Sequence, residues 1–307
     1  MNFTKIVTLI AFILCGFVFI NKTQSQDNAV THSFFIAGPD FTGIIGEDGK
    51  EVWNSGKPGA RDGFVLPNSN ILICWADEVL EFDQNKKVIF TFKRELAENE
   101  LGTAVRLKNG NTLITESGKN PSLLEVNNAG KIIKTVPLLP ETDNVHMQTR
   151  MARKLDNGNY LVPHLLAFAV KEYDPAGKVV KTFKTDLETL GGTKAENWPF
   201  TAIVLDNGNT LVSLTHGNKV VEFDPKGNVV WQVSNDDFTE KPFQDPCGIQ
   251  RLANGNTVIA SYGAQKGIKI FEVTPDKKIV WTYLDHRAHE LQILTTNGKP
   301  LTGKLLK

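Results

Sequence analysis

Apolar and polar residues alternate in short runs along nearly the whole chain from residue 33 onward, and turn-forming words interrupt the runs at regular intervals. A period of two is the signature of half-buried strands, because successive side chains point to opposite faces. No stretch of useful length carries the helical period. Six times an alternating run ends in Asn-Gly-Asn or a near copy and is followed by a second apolar run. The first Asn of each turn is Asn68 (with Ser69 in place of Gly), Asn109, Asn157, Asn207, Asn254 and Asn297 (with Lys299 in place of the last Asn). The spacings are 41, 48, 50, 47 and 43 residues, the length of a four-stranded propeller blade. Each Asn-Gly predicts a tight hairpin in which both residues take positive φ.

A second turn follows each of the first, at 48–49, 83–85, 128–130, 174–177, 224–227 and 274–276, with alternating segments on both sides. The predicted fold is therefore all-β: a six-bladed β-propeller of four-stranded antiparallel blades. The ends complete one another. Residues 34–53 hold the second, third and fourth strands of a blade without a first, and residues 289–295 with Asn297-Gly298 have the form of a first strand and its turn. Pairing this C-terminal first strand with the N-terminal blade closes the ring and removes free sheet edges. The expected organisation is a leader at 1–25, the propeller at 33–299 and a tail at 300–307.

The run 222–231, EFDPKGNVVW, with echoes at 51–53 and 278–281, resembles the repeats of the quinoprotein-like propellers, the superfamily of pyrroloquinoline quinone alcohol dehydrogenases. Bacterial arylsulfotransferases carry similar repeats. The resemblance spans residue 33 to about residue 299, and its words are turn and strand residues, so it implies a fold. Quinone enzymes of this type have eight blades with a tryptophan docking motif, whereas six turns are present here and Trp53, Trp231 and Trp281 mark three blades alone; pyrroloquinoline quinone is not expected. An arylsulfotransferase would use a histidine to accept the sulfuryl group, and no motif carries that role to a particular histidine here.

The first residues depart from the repeat: Lys5, an apolar run at 6–20 and polar residues at 21–26, with Thr23 and Ser25 at −3 and −1 of a cut before Gln26. This is the pattern of a secretory signal peptide, and it predicts a periplasmic or extracellular protein with no membrane segment in the mature chain. Leu14 before Cys15 argues against lipidation there. Cys74 and Cys247 remain after processing; placed in blades two and six, they are expected to be free. Lysine plus arginine and aspartate plus glutamate number 34 each, which gives no electrostatic reason for a nucleic-acid partner and makes a small polar ligand or glycan the default. A monomer is expected.

In a propeller the first strands line the central channel, and the loops entering them share one face with the loops between second and third strands. Spacing alone places five of the six mature histidines on that face. His146, His286 and His289 lie before first strands; His164 and His216 lie between second and third strands. His146 and His286 each stand eleven residues before a turn Asn, in blades on opposite sides of the ring. His32 falls outside the pattern. The same loops carry candidate ligand-binding groups: Arg61, Asp62, Glu116, Gln148, Arg150, Trp198, Tyr262 and Arg287. Lactonase-type six-bladed propellers hold a divalent ion with Glu, Asn and Asp oxygens, and Glu100, Asn197 and Asp245 are the corresponding candidate metal set.

Imidazoles titrate near neutrality, so the five histidines are the candidates for acid-base chemistry on a carbohydrate-derived or anionic substrate, by lysis, hydrolysis or transfer. The competing expectation is a propeller that binds a glycan, peptide or protein without turnover. Geometry separates them: two imidazoles and a carboxylate within hydrogen-bond reach favour the enzyme, and scattered histidines under an exposed apolar rim favour the binder.

Overall fold

The computed structural model describes residues 29–139 and 141–307; the leader and Cys15 lie outside the described residues. Six sheets form the predicted ring. Blade 1 joins both ends of the chain: β1 (His32–Ala37), β2 (Thr42–Ile45) and β3 (Glu51–Asn54) follow β24 (Glu290–Thr296), with β25 (Lys299–Pro300) on its far side. Blade 2 is β4 (Asp62–Val65), β5 (Ile71–Cys74), β6 (Glu78–Phe82) and β7 (Val88–Lys93). Blade 3 is β8 (Glu100–Arg106), β9 (Thr112–Ser117), β10 (Ser122–Val126) and β11 (Ile132–Pro137). Blade 4 is β12 (Arg153–Lys154), β13 (Tyr160–His164), β14 (Ala169–Tyr173) and β15 (Val179–Lys184). Blade 5 is β16 (Pro199–Val204), β17 (Thr210–Leu214), β18 (Lys219–Phe223) and β19 (Val229–Ser234). Blade 6 is β20 (Pro246–Arg251), β21 (Thr257–Ser261), β22 (Ile270–Val273) and β23 (Ile279–Tyr283).

The ring closes as the ends predicted: β1 pairs antiparallel with β24, Ala37 opposite Glu290 and Phe34 opposite Ile293. Each middle strand packs against neighbouring blades on both faces and is buried nearly throughout, whereas the outermost strands alternate buried and exposed positions. That contrast is why the period of two is clearest in the fourth strands. Phe271, Phe243 and Ile249 between blades 5 and 6, and Leu72, Leu101 and Ile114 between blades 2 and 3, are typical of the inter-blade cores.

The Asn-Gly turns differ from expectation at five of six sites. Only the second position has positive φ, as at Gly110 (86°), Gly208 (82°) and Ser69 (66°). In each of these five a Leu carbonyl accepts from that residue, as Gly110 N donates to Leu107 O at 2.9 Å, so the loop is a four-residue turn closed by one left-handed residue. Asn297 (49°) and Gly298 (75°) alone form the two-residue hairpin with both φ positive. The last Asn of the repeated word acts across its own blade: Asn70, Asn159, Asn209 and Asn256 donate side-chain amides to Glu81, Glu172, Glu222 and Glu272 on third strands.

Three of those glutamates, and Glu125 in the same place of blade 3, latch one blade to the next. Glu81 takes Arg106, Glu125 takes Lys154, and Glu222 takes Arg251 at 2.9 Å, each cation coming from the first strand of the following blade. Where blade 6 meets blade 1, His32 replaces the cation: its Nε2 lies 2.7 Å from Glu272, both side chains almost wholly buried, and its Nδ1 lies 2.9 Å from Thr296 Oγ1. The histidine outside the sequence pattern is thus a ring-closing residue.

On the face of the Asn-Gly turns, residues 299–307 cross the channel. Arg251 N donates to Leu306 O at 3.0 Å, and Lys307 is buried with its Nζ donating to Gly63 O at 2.6 Å above the Phe64 ring. A cavity of about 680 Å³ lies alongside, between this segment and the turns of blades 3 and 4. The turn words by themselves put only the repeated Asn, Asp, Gly and Lys of solvated turns on this face. A folded-back tail covers it instead, because the channel there offers Gly63, Asp62 and Glu290 as partners for a cation.

Candidate functional site

The funnel is shaped where innermost strands break their regular pairing. Register shifts interrupt β8, β16 and β20 near their upper ends. In blade 4 the break is larger: Ala152 N donates to Arg150 O across a three-residue turn at 2.8 Å, and Met151 pairs with Thr201 of blade 5 instead of with its own sheet. The kink turns Arg150 toward the channel axis. The groups that act on its charge, Arg61, Glu100, Cys247 and Tyr262, come from blades 2, 3 and 6, a placement that only the axis provides.

Arg150 is 3% exposed. Its guanidinium donates to the carbonyls of Thr149, at 2.9 Å, and His146, and it meets no carboxylate within ion-pair distance among the described residues. Burial, and then the charge of Arg61, bring its pKa down to about 10. Above it, Arg61 Nη2 binds Glu100 at 2.8 Å, and His146 Nδ1, on a 3₁₀ turn at Val145–Met147, reaches the same carboxylate at 3.1 Å. The bond from His146 and the charge of Arg61 hold Glu100 down at about 2 against burial. A permanent anion is therefore shared between a guanidinium and an imidazole.

His289 forms the opposite wall. Its Nδ1 lies 3.0 Å from the Ala60 carbonyl, which can only accept, so Nδ1 carries the proton and Nε2 the lone pair. Burial drives its pKa down to about 4, with Arg61, Arg150 and His146 adding to the shift. Tyr262 stacks on it at 4.1 Å and Phe200 lies parallel at 6.3 Å. Met151, Phe200 and Cys247, with Tyr262 against them, make this side apolar.

The remaining predicted residues lie elsewhere. His164 is buried between Glu141 (2.7 Å) and the Tyr173 hydroxyl (2.9 Å), in the wall of blade 4, and both its ring nitrogens are taken there. His286 stacks on Phe41 at 4.5 Å, and His216 stacks on Trp198 at 3.9 Å with Glu196 at 3.2 Å, both on the outer rim. The equal sequence offset of His146 and His286 does not give equal positions, because the 3₁₀ turn exists in blade 4 alone of the two. Arg287 stays at the edge of the funnel wall, its guanidinium 5.7 Å over the Tyr262 ring and tied bidentately to Asp40 at 2.7 and 2.9 Å. Gln148 clamps both backbone groups of Gly118, and Glu116 is half-buried on β9. Asp62 lies below the funnel, bound to Thr103 (2.8 Å) and Arg153 (3.2 Å).

The proposed metal set is not assembled. Glu100 is engaged by Arg61 and His146. Asn197 and Asp245, together with Asn99, occupy one repeated place: each packs a side-chain oxygen over a glycine of the loop between second and third strands. A Cβ on Gly118, Gly217 or Gly263 would lie 2.2, 2.1 or 2.7 Å from that oxygen. Among the described residues no three His, Cys, Asp or Glu side chains are grouped as metal ligands. Cys74 and Cys247 are both free, and burial pushes both thiols well up. Sequence reasoning missed Phe200, Met151, Arg153 and Lys307. A guanidinium and an ammonium in apolar segments are a signal for the last two only once the tail is known to fold back.

Solved structures resemble the chain at the level of fold. A protein of unknown function from Bacteroides caccae superposes with a TM-score of 0.74 at 22% identity, covering 85% of this chain and 98% of its own. A catalytically inactive variant of virginiamycin B lyase from Staphylococcus aureus, solved with quinupristin, gives 0.57 at 14% identity over 86% of each chain. A luciferin-regenerating enzyme gives 0.54 at 10% identity over 75% and 78%. No curated protein matches the sequence. The β-propeller implied by the repeat words is present, while the family found is a different one from the quinoprotein and arylsulfotransferase families. Residues 17–241 match the family described as Mal s 1 allergenic protein-like, well over half of the chain, and the protein belongs to that family.

Proposed function

We propose that the protein is exported by its leader and binds a small organic anion in the funnel, with Arg150 and Arg61 as the anchor. The observation that carries this reading is the buried Arg150 guanidinium without a carboxylate. A buried cation is stabilised by a charge-assisted bond, and the Arg106, Lys154 and Arg251 side chains of the latches all have one. The reading is tested by calorimetric titration with glucuronate and benzoate against glucose and benzylamine. The anions are expected to bind, the neutral and cationic probes not, and Arg150→Met to weaken the anions by at least about tenfold. Glucose binding as tightly as glucuronate, or an Arg150→Met variant with unchanged affinity, overturns it. Trp198 gives a sugar ring no free platform on the face that His216 covers.

A second reading is favoured by the His289 tautomer. A neutral imidazole with its Nε2 lone pair beside two guanidinium groups is the arrangement of a general base acting on a substrate whose developing negative charge the arginines stabilise. His146 and Glu100 supply the second imidazole and the carboxylate. Turnover of nitrophenyl esters or nitrophenyl sulfate by the protein, abolished in His289→Gln with acetate binding retained, supports an enzyme; no turnover by the wild type leaves the binding propeller.

A further inference from the structure

We infer that the anion taken by the funnel carries a flat apolar group; this rests on the anion-binding reading above and narrows it to amphiphilic anions. Two observations independent of Arg150 point there. The first is the wall opposite the charge: Tyr262, His289 and Phe200 form a parallel stack, with Met151 and Cys247 packed behind it. His289 is neutral at ordinary pH, and the cation against the wall, Arg287 over the Tyr262 ring at 5.7 Å, is paired with Asp40, so the wall presents rings and no unpaired charge. A flat apolar group gains both area burial and stacking there.

The second observation is where leucine is exposed. Among the described residues, seven of the eleven exposed large hydrophobics, Val52, Val88, Ile89, Ile133, Val180, Val230 and Val280, lie on the outermost strands, which meet solvent all around the ring. Three of the others are Leu96, Leu139 and Leu284, at 51, 57 and 56% exposure. Each lies just beyond a fourth strand, β7, β11 and β23 respectively, in a connection that leads to the next innermost strand. All three are therefore on the face where the funnel opens. The leucines give this face an apolar outer margin, and such a margin beside a cationic floor matches a molecule with an anionic head and an apolar body, since neither a simple inorganic anion nor a neutral sugar uses both parts.

The test is calorimetric titration of the mature protein with acetate, 2-naphthoate and naphthalene-2-methanol. The naphthoate is expected to bind at least about tenfold more tightly than acetate. Phe200→Leu should remove most of that gain and leave acetate unchanged, and the surface variant Leu96→Ser/Leu139→Ser/Leu284→Ser, which changes only exposed side chains, should lower naphthoate affinity a further few-fold. Equal affinities for acetate and naphthoate overturn the amphiphile while the anion reading stands. Binding of naphthalene-2-methanol as tight as that of naphthoate overturns the anion reading itself. Loss of phosphatidylcholine-vesicle binding in the triple variant, with naphthoate affinity unchanged, assigns the leucines to a membrane surface and overturns the inference.

Discussion

Closure of the ring depends on a buried contact that a single substitution removes. Glu272 accepts His32 Nε2 at 2.7 Å and the Asn256 amide at 2.6 Å, with the His32 and Glu272 side chains 0 and 2% exposed. Burial pushes the carboxyl upward, and the bonds from His32 and Asn256 outweigh it, leaving the pKa below its ordinary value. Glu272→Ala strands a buried imidazole and an amide, and breaking a buried pair in this way costs about 3–5 kcal/mol. For a domain of this size each kcal/mol lowers Tm by about 2–4 °C, so a fall of roughly 6–20 °C is expected in a thermal melt followed by circular dichroism. Glu172→Ala is the internal control. It removes the equivalent glutamate of blade 4, which takes amides from Asn157 and Asn159 of its own blade and no ion pair from the next. A depressed carboxyl stabilises the fold above its unfolded value of 4.5 and loses that contribution as pH falls through the folded value, so the gap between Glu272→Ala and wild type should narrow on acidification below 4.5. Equal Tm losses for the two variants, or a gap independent of pH, would refute the latch.

His289 titrates at about 4 in the fold against 6.5 unfolded, so its neutral form stabilises the protein above pH 6.5 and that contribution is lost as pH falls from 6.5 through about 4. Stability by urea unfolding should decline over this window in the wild type, and His289→Phe should flatten the decline. Below the funnel, Arg153 lies between Asp62 (3.2 Å) and Glu290 (3.4 Å), both acids fully buried, and its Nε donates to Lys307 O. Burial raises Glu290 and lowers Lys307. Arg153→Met should therefore cost about 3–5 kcal/mol in denaturant unfolding at pH 7, and less on acidification, as Glu290, raised by burial, takes a proton; a loss below about 1 kcal/mol contradicts the network.

Much of the architecture was legible because it repeats. Six turn words fixed the blade count, and an incomplete blade at each end located the closure between β1 and β24. The candidate site was legible by face and poorly by residue. Arg61, Glu100, His146, Arg150, Tyr262 and His289 do meet at the funnel, but they share that face with His164, His216, His286 and Arg287, which have local partners. Spacing orders residues along a strand and around the ring; it carries no information on whether a loop residue turns toward the axis.

What the sequence alone determined is what depends on local chemistry and on period: strands from alternation, hairpins from Asn and Gly, four-stranded blades from spacing, free cysteines from their separate blades. Tertiary structure decided the rest. The type of five Asn-Gly turns follows from the registers of the strands they join. The role of His32 follows from its meeting Glu272, 240 residues away. The tail's path follows from buried acids in the channel that only a cation can satisfy. Arg150, the proposed anchor, is brought to the funnel by a kink in one strand and the convergence of other blades on the axis. Those contacts are set by the closing of the ring, and no local pattern encodes which buried cation is left there without a carboxylate.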